Sequence, residues 1–109
     1  MDSATLRNQL EQVGILISEK NLDAAHKLLK KIIGAEPESP RAFNLLGVMH
    51  EKQGNFDAAR RMYRVALTKE PAYYSAQNNL HRLVQMTLPI SEPDLDIEIE
   101  NDYLGENKL

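Results

Sequence analysis

The chain has 109 residues, of which 42% are hydrophobic and 27% are charged, and its formal net charge is −3. Those proportions are typical of a globular domain, and the lack of cysteine excludes disulfides, zinc–cysteine sites and thiol catalysis. The N-terminal stretch carries an early acid, and no segment reaches the roughly 18–20 apolar residues that a membrane span needs. We therefore expect a cytoplasmic protein without a membrane partner.

Apolar residues recur at the i, i+3, i+4 spacing of an amphipathic helix in five segments. Asn21 and Asn55 suit helix N-caps, since an acid follows each in the first turn, and Pro40 suits a first helical position. Pro37 and Pro71 end the helices before them. We predict helices at about residues 4–19, 22–34, 40–53, 56–68 and 73–87. Short connections make sequential helices antiparallel neighbours, so the predicted fold class is all-α.

The stretch from Asn55 to Pro71 repeats the stretch from Asn21 to Pro37 at an offset of 34, which we call one repeat period. A period of this length with two helices per unit is the signature of a helical solenoid. The segment from residue 42 to 71, AFNLLGVMHEKQGNFDAARRMYRVALTKEP, resembles the tetratricopeptide repeat (TPR) family. The residues that match the packing positions of the family motif are Phe43, Leu46, Gly47, Ala59, Tyr63, Ala66 and Pro71, with Ala25 and Pro37 in the first unit.

The resemblance implies a right-handed helical solenoid of two TPR units, at about residues 4–37 and 38–71, followed by a capping helix at about residues 73–87. A capping helix is expected because Gln77 replaces the aromatic residue of the motif and His81 replaces the small one, which leaves one face in water. In the first unit the second helix repeats at an offset of 34, whereas the first helix fits an offset of 33 about as well. That register stays open.

The three histidines, His26, His50 and His81, are the candidates for acid–base or metal chemistry. No acid stands beside them at metal-ligand spacing, and the chain lacks a glycine-rich phosphate loop and a recognisable catalytic triad order. We expect His26 to be exposed, and His50 and His81 to fill packing positions. The sequence predicts a protein that is not an enzyme and carries no cofactor or metal.

In the TPR family the first helix of each unit lines a concave groove that commonly holds a peptide. Asparagine amides bond peptide backbones and arginine pairs with carboxylates, so polar residues on these helices suit peptide recognition. The predicted groove residues are Arg41, Asn44, Val48, Lys52, Asn78, Arg82 and Gln85. Leu45 stands where chaperone-tail-binding members carry an asparagine, so their carboxylate clamp is not reproduced. The implied function is a non-catalytic adaptor or scaffold that binds a protein or peptide partner, and the alternative is a merely solvated groove.

The C-terminal segment from position 89 to position 109 differs from the rest of the chain in charge. Residues 1–88 carry 12 basic and 9 acidic side chains, whereas residues 89–109 carry 1 and 7. Such composition is typical of a disordered acidic tail, but large apolar residues alternate with the acids, which indicates an extended segment with one apolar edge. We expect this tail to dock on a TPR surface of the same or a neighbouring chain, with its acids near Arg41, Lys52 or Arg82. Its apolar docking residues are Leu95, Ile97, Ile99 and Tyr103.

Two other functions stay open. One is self-assembly, in which two chains form a homodimer through the capping helix or exchange their tails. The other, weaker alternative is an accessory to nucleic-acid machinery, which would use the basic run at Arg60, Arg61 and Arg64. Nucleic-acid binding needs a continuous basic patch, and side chains of this kind usually form a solvated helix face, so no nucleic-acid partner is expected.

Overall fold

The structure, a computed structural model, describes residues 1–87. These residues form five α-helices and no strand: α1 (Ser3–Ser18), α2 (Leu22–Ala35), α3 (Pro40–Lys52), α4 (Phe56–Lys69) and α5 (Tyr74–Thr87). Each helix begins and ends within one residue of its predicted bounds, and the all-α fold class is confirmed. The predicted docking residues of the tail, Leu95, Ile97, Ile99 and Tyr103, lie outside the described residues.

Side-chain capping differs between the helices. The hydroxyl of Ser39 accepts the backbone N–H of Ala42 at 3.2 Å and begins α3. Asn21 and Asn55 stand at the N-cap positions of α2 and α4, but their carboxamides make no capping hydrogen bond. Their ψ angles are 70° and 72°, outside the extended region from which a capping side chain reaches the first turn. The predicted asparagine caps are therefore right in position and wrong in bonding.

The turn between α1 and α2 recurs between α3 and α4 with the same hydrogen bonds. The N–H of Asn21 donates to the carbonyl of Leu16 at 2.8 Å, and the N–H of Asn55 donates to the carbonyl of His50 at 2.9 Å. Both donors and both acceptors are one repeat period apart, as are the last residues of α1 and α3. The first helix therefore follows the same period as the second, which settles the register that the sequence leaves open.

Each of these turns contains one residue in the left-handed backbone region. Gly54 has a φ angle of 80°, and Lys20, which lies one repeat period earlier, has a φ angle of 63°. Glycine adopts this conformation without steric cost, whereas for a residue with a β-carbon the conformation costs roughly 1–2 kcal/mol of folding free energy. The first turn therefore holds strain that the second turn lacks.

The core lies between the helices of each unit and between the units. Ala25, Ala59 and Ala66 are fully buried, and their small side chains let neighbouring helices approach closely. The ring of Tyr63 lies so near Gly47 that a β-carbon there would overlap it. The buried apolar residues are Leu10, Val13, Ile17, Ala25, Leu29, Ile32, Ala42, Met49, Ala59, Tyr63, Ala66, Ala76 and Leu83.

The other predicted packing residues lie at the margin of this core. Phe43 and Leu46 are half-buried, and the ammonium of Lys69 lies 5.6 Å from the centre of the Phe43 ring in a cation–π contact. Pro37 and Pro71 are exposed in the connections after α2 and α4, where they stop the helices without contributing buried surface.

The two end helices expose faces that α3 buries. Met49 of α3 is 1% exposed, whereas Ile15 of α1, one repeat period earlier, is 49% exposed. His81 of α5 lies one repeat period after the buried Gly47 and is exposed. The prediction that His81 fills a packing position is wrong, because no helix within residues 1–87 lies beyond α5 to cover it.

Candidate binding surface

Two adjoining clefts mark the surface that α1, α3 and α5 form together. The first has a volume of about 300 Å³ and lies between α3 and α5. The second, of about 310 Å³, lies between the end of α3 and the end of α1, with the turn that follows α1 and the first residue of α2. Lys52 lines both, so they form one continuous surface. We call it the odd-helix surface, and its residues are Ile17, Ser18, Lys20, Leu22, Val48, Glu51, Lys52, Asn79 and Arg82.

A charged network forms the wall of the first cleft. The guanidinium of Arg82 donates to both carboxylate oxygens of Glu51, at 2.6 and 2.9 Å, and the hydroxyl of Tyr63 donates to the same carboxylate at 2.7 Å. The bonds from Arg82 and Tyr63 outweigh burial and lower the pKa of Glu51. Burial, with the bond to Glu51, raises the pKa of Tyr63. A partner carboxylate must therefore compete with Glu51 for Arg82.

A pair of asparagines joins the same two helices. Asn44 of α3 is only 7% exposed, and its side-chain carbonyl accepts the amide N–H of Asn79 of α5 at 3.0 Å. The bond between Asn44 and Asn79 therefore connects α3 with α5. Asn79 also lines the first cleft. Sequence reasoning selects Asn78 instead, which lies one residue away on α5 and is exposed.

The predicted groove residues divide into two groups. Three of them line the first cleft: Val48, Lys52 and Arg82. The other four line neither cleft: Asn78 and Gln85 are exposed, Arg41 is half-buried, and Asn44 is buried. The structure thus gathers part of the predicted groove at the C-terminal ends of α3 and α5.

Sequence reasoning missed the contribution of the first unit. Ile17 and Ser18 line the second cleft, and they lie one repeat period before Glu51 and Lys52, which line the first. The period would have identified them, but the sequence alone does not settle the register of α1. Lys20 was missed for the same reason, since it belongs to the turn that follows α1 and its register was equally open.

The histidines do not form a site with the acids around them. His26 is exposed, and His50 is half-buried with its Nδ1 atom unpartnered. Burial, assisted by the positive charges of His26 and Arg61, lowers the pKa of His50. No three metal-ligating side chains come together within residues 1–87. In the same part of the chain, no helix is both long enough and apolar enough to cross a membrane.

The basic run of α4 is partly engaged. The guanidinium of Arg60 donates to Asp57 and, at 2.8 Å, to the hydroxyl of Thr87. Arg61 and Arg64 are exposed and form no salt bridge within the described residues. This leaves two exposed cations on α4, and the expectation that no nucleic acid binds them stays a prediction.

Comparison with known proteins agrees with this architecture. The family model described as "Tetratricopeptide repeat" matches residues 16–83, which include α2, α3, α4 and most of α5. The chain belongs to the tetratricopeptide repeat family. TPR domains are generally protein–protein interaction modules and are typically non-catalytic.

One curated relative matches this TPR chain over part of its own length. "Uncharacterized protein y4yS" of Sinorhizobium fredii (strain NBRC 101917 / NGR234) is 31% identical to this TPR chain over 83 residues. The match covers 70% of this chain and 46% of the relative. The TPR chain therefore spans about half the length of the curated relative that it matches.

Proposed function

We propose that the odd-helix surface binds an extended peptide or an exposed segment of a partner protein, and that the chain acts as a cytoplasmic adaptor or scaffold. The observation that carries this proposal is the continuity of the two clefts across α1, α3 and α5 through Lys52. Membership of the TPR family supports it, because protein binding is the general function of that family.

The chemistry of the clefts suits a peptide. Val48, Ile17 and Leu22 supply apolar wall, while Lys52 and Asn79 supply hydrogen-bond donors. Each cleft is about 300 Å³, which lies at the lower limit of small-ligand sites and accommodates one or two side chains. A flexible peptide loses conformational entropy when it is ordered there, so we expect micromolar affinity.

Two exposed side chains of α5 favour self-association as a second candidate. Tyr74 is 73% exposed and Met86 is 55% exposed, and both belong to the last helix of the described solenoid. Large apolar side chains on an end helix are suited to pairing with a second copy. Sedimentation at tens of micromolar separates the candidates, since an obligate assembly predicts a dimer and peptide binding predicts a monomer.

The test of peptide binding is affinity capture from native lysate with one charge reversal inside the surface and one outside. Lys52→Glu changes the residue shared by both clefts, and Lys30→Glu changes an exposed lysine of α2. Neither lysine forms a salt bridge within residues 1–87, so both variants should fold, which circular dichroism checks. We expect a partner captured by wild type and Lys30→Glu to be lost with Lys52→Glu. Equal capture by both variants would contradict the proposal.

A further inference from the structure

The charges of the odd-helix surface are unbalanced. Its lining contains three cations, Lys20, Lys52 and Arg82, and one anion, Glu51. Arg82 is paired with Glu51, whereas Lys20 and Lys52 are exposed and form no salt bridge within the described chain. Two positive charges are thus left at the second cleft, where they favour an acidic occupant.

The same cleft has an apolar wall, and one segment of the chain combines both matching properties. Ile17 and Leu22 line the same cleft as the two lysines. Residues 94–100 read DLDIEIE, so acids alternate with Leu95, Ile97 and Ile99. In an extended backbone, successive side chains point to opposite sides, which would direct the apolar residues one way and the acids the other.

The position at which α5 ends makes this segment able to reach the clefts. α5 ends at Thr87, and Arg82, little more than one turn earlier, lines the same cleft as Lys52 at the end of α3. Neighbouring helices lie about 8–10 Å apart, so the path from α5 across α3 to α1 is roughly 20 Å. Residues 88–95 span up to about 26 Å when extended, which suffices.

We propose that residues 94–100 occupy the odd-helix surface of their own chain and compete there with the partner. The acids lie against Lys20 and Lys52, and the apolar edge covers Ile17 and Leu22. This inference rests on the proposed function, because it names the same surface as the peptide site. It also identifies the partner by chemistry: the segment that displaces the tail is itself extended, acidic and apolar in alternation.

The arginines of α4 are the competing location for the tail. Arg61 and Arg64 are exposed and belong to the same helix as Arg60, which bonds to the hydroxyl of Thr87 at the end of α5. They offer positive charge without the apolar wall that Ile17 and Leu22 give to the second cleft. The odd-helix surface fits both properties of the segment, whereas α4 fits one.

The experiment places a nitroxide at the end of the segment in the full-length chain. Because the natural sequence contains no cysteine, Asn101→Cys gives a single labelling site. In the ¹⁵N-labelled protein we expect amide signals of Ser18, Lys20 and Lys52 to lose most of their intensity. Signals of Lys30, on α2, should keep theirs.

Two charge-reversal variants act as a matched pair in this experiment. The double variant Lys20→Glu/Lys52→Glu should restore the lost intensities, and Arg61→Glu/Arg64→Glu should leave the broadening unchanged. Broadening centred on Arg61 and Arg64, or equal weak broadening everywhere, would overturn the proposal. So would the same broadening in ¹⁵N chains that carry no nitroxide when they are mixed with nitroxide-labelled chains, because the contact would then be between chains.

The outcome for the tail can be separated from the outcome for partner binding. The spin-label measurement contains no partner, so an absence of broadening would reject the proposal that the tail occupies the surface. Peptide binding would still be tested by comparing capture by wild type with capture by Lys52→Glu. Conversely, if the tail contact is found but Lys52→Glu captures as well as wild type, the proposed function fails and tail docking stands.

Discussion

The aromatic ring of Tyr63 lies directly against Gly47, where any β-carbon would overlap it. From this position the hydroxyl of Tyr63 reaches Glu51 at 2.7 Å, and Glu51 in turn pairs with Arg82. The missing side chain at residue 47 therefore lets a core residue of α4 support a carboxylate on the binding surface. Packing and the charged network are connected through one ring.

We expect Gly47→Ala to lower the free energy of unfolding by about 1–3 kcal/mol, because the added methyl overlaps the ring of a fully buried tyrosine. Gly14→Ala is the matched control, since Gly14 also lies inside a helix and has nothing within 4 Å of the added carbon. It should stabilise the protein by up to about 1 kcal/mol through helix propensity. Urea denaturation followed by circular dichroism measures both, and equal effects would contradict the steric explanation.

Tyr63→Phe removes the hydroxyl that donates to Glu51 and keeps the ring. We expect a loss of about 1–2 kcal/mol in the free energy of unfolding, since hydrogen bonds to charged groups are stronger than neutral ones and Glu51 is half-buried. Tyr74→Phe changes a side chain that is 73% exposed and should have no measurable effect. A neutral result for Tyr63→Phe would show that this hydrogen bond contributes nothing to stability.

Lys20→Gly should stabilise the protein by about 0.5–1 kcal/mol, because glycine relieves the left-handed strain but adds entropy to the unfolded chain. The reverse change in the second turn, Gly54→Ala, should destabilise it, since φ there is 80° and the surrounding space is open. The two free energies, from chemical denaturation, are therefore expected to have opposite signs. Destabilisation by Lys20→Gly would mean that the lysine side chain contributes more than its backbone costs.

The stability of the protein should fall as pH drops below 6.5. Burial, reinforced by His26 on α2 and Arg61 on α4, lowers the pKa of His50 from 6.5, so below that pH the unfolded chain binds more protons than the folded chain. The contribution is fully present above pH 6.5 and is lost as the pH falls. Glu51, whose pKa is lowered from 4.5 mainly by Arg82, adds a further loss below pH 4.5.

His50→Gln separates these two effects. Melting temperatures between pH 7 and pH 5.5 should decline less in this variant than in wild type, because glutamine does not titrate. His81→Gln replaces an exposed histidine of α5 and should retain the wild-type dependence. If His50→Gln and wild type have the same pH dependence, the burial of His50 does not govern acid stability.

Periodicity was enough to predict the helices and their buried small residues, because both follow from local spacing. Periodicity did not predict the hydrogen bonds of the binding surface, because Arg82 and Glu51 are 31 residues apart and no local pattern indicates that they meet. The sequence therefore predicts Arg82 as a ligand for a partner, whereas the structure shows it bonded within the chain. Asn44 is a similar case, because its partner Asn79 lies 35 residues away.

The histidine that replaces glycine at the start of the third unit has a consequence for how long this array can become. On α3, residue 47 admits the tyrosine ring of α4; on α5, the imidazole of His81 occupies the corresponding place. A helix equivalent to α4 cannot settle on α5 in the same geometry without overlapping that imidazole. The volume of this one side chain thus disfavours a further helix packed on α5 as α4 packs on α3, and stacking of identical copies end to end would need a different contact.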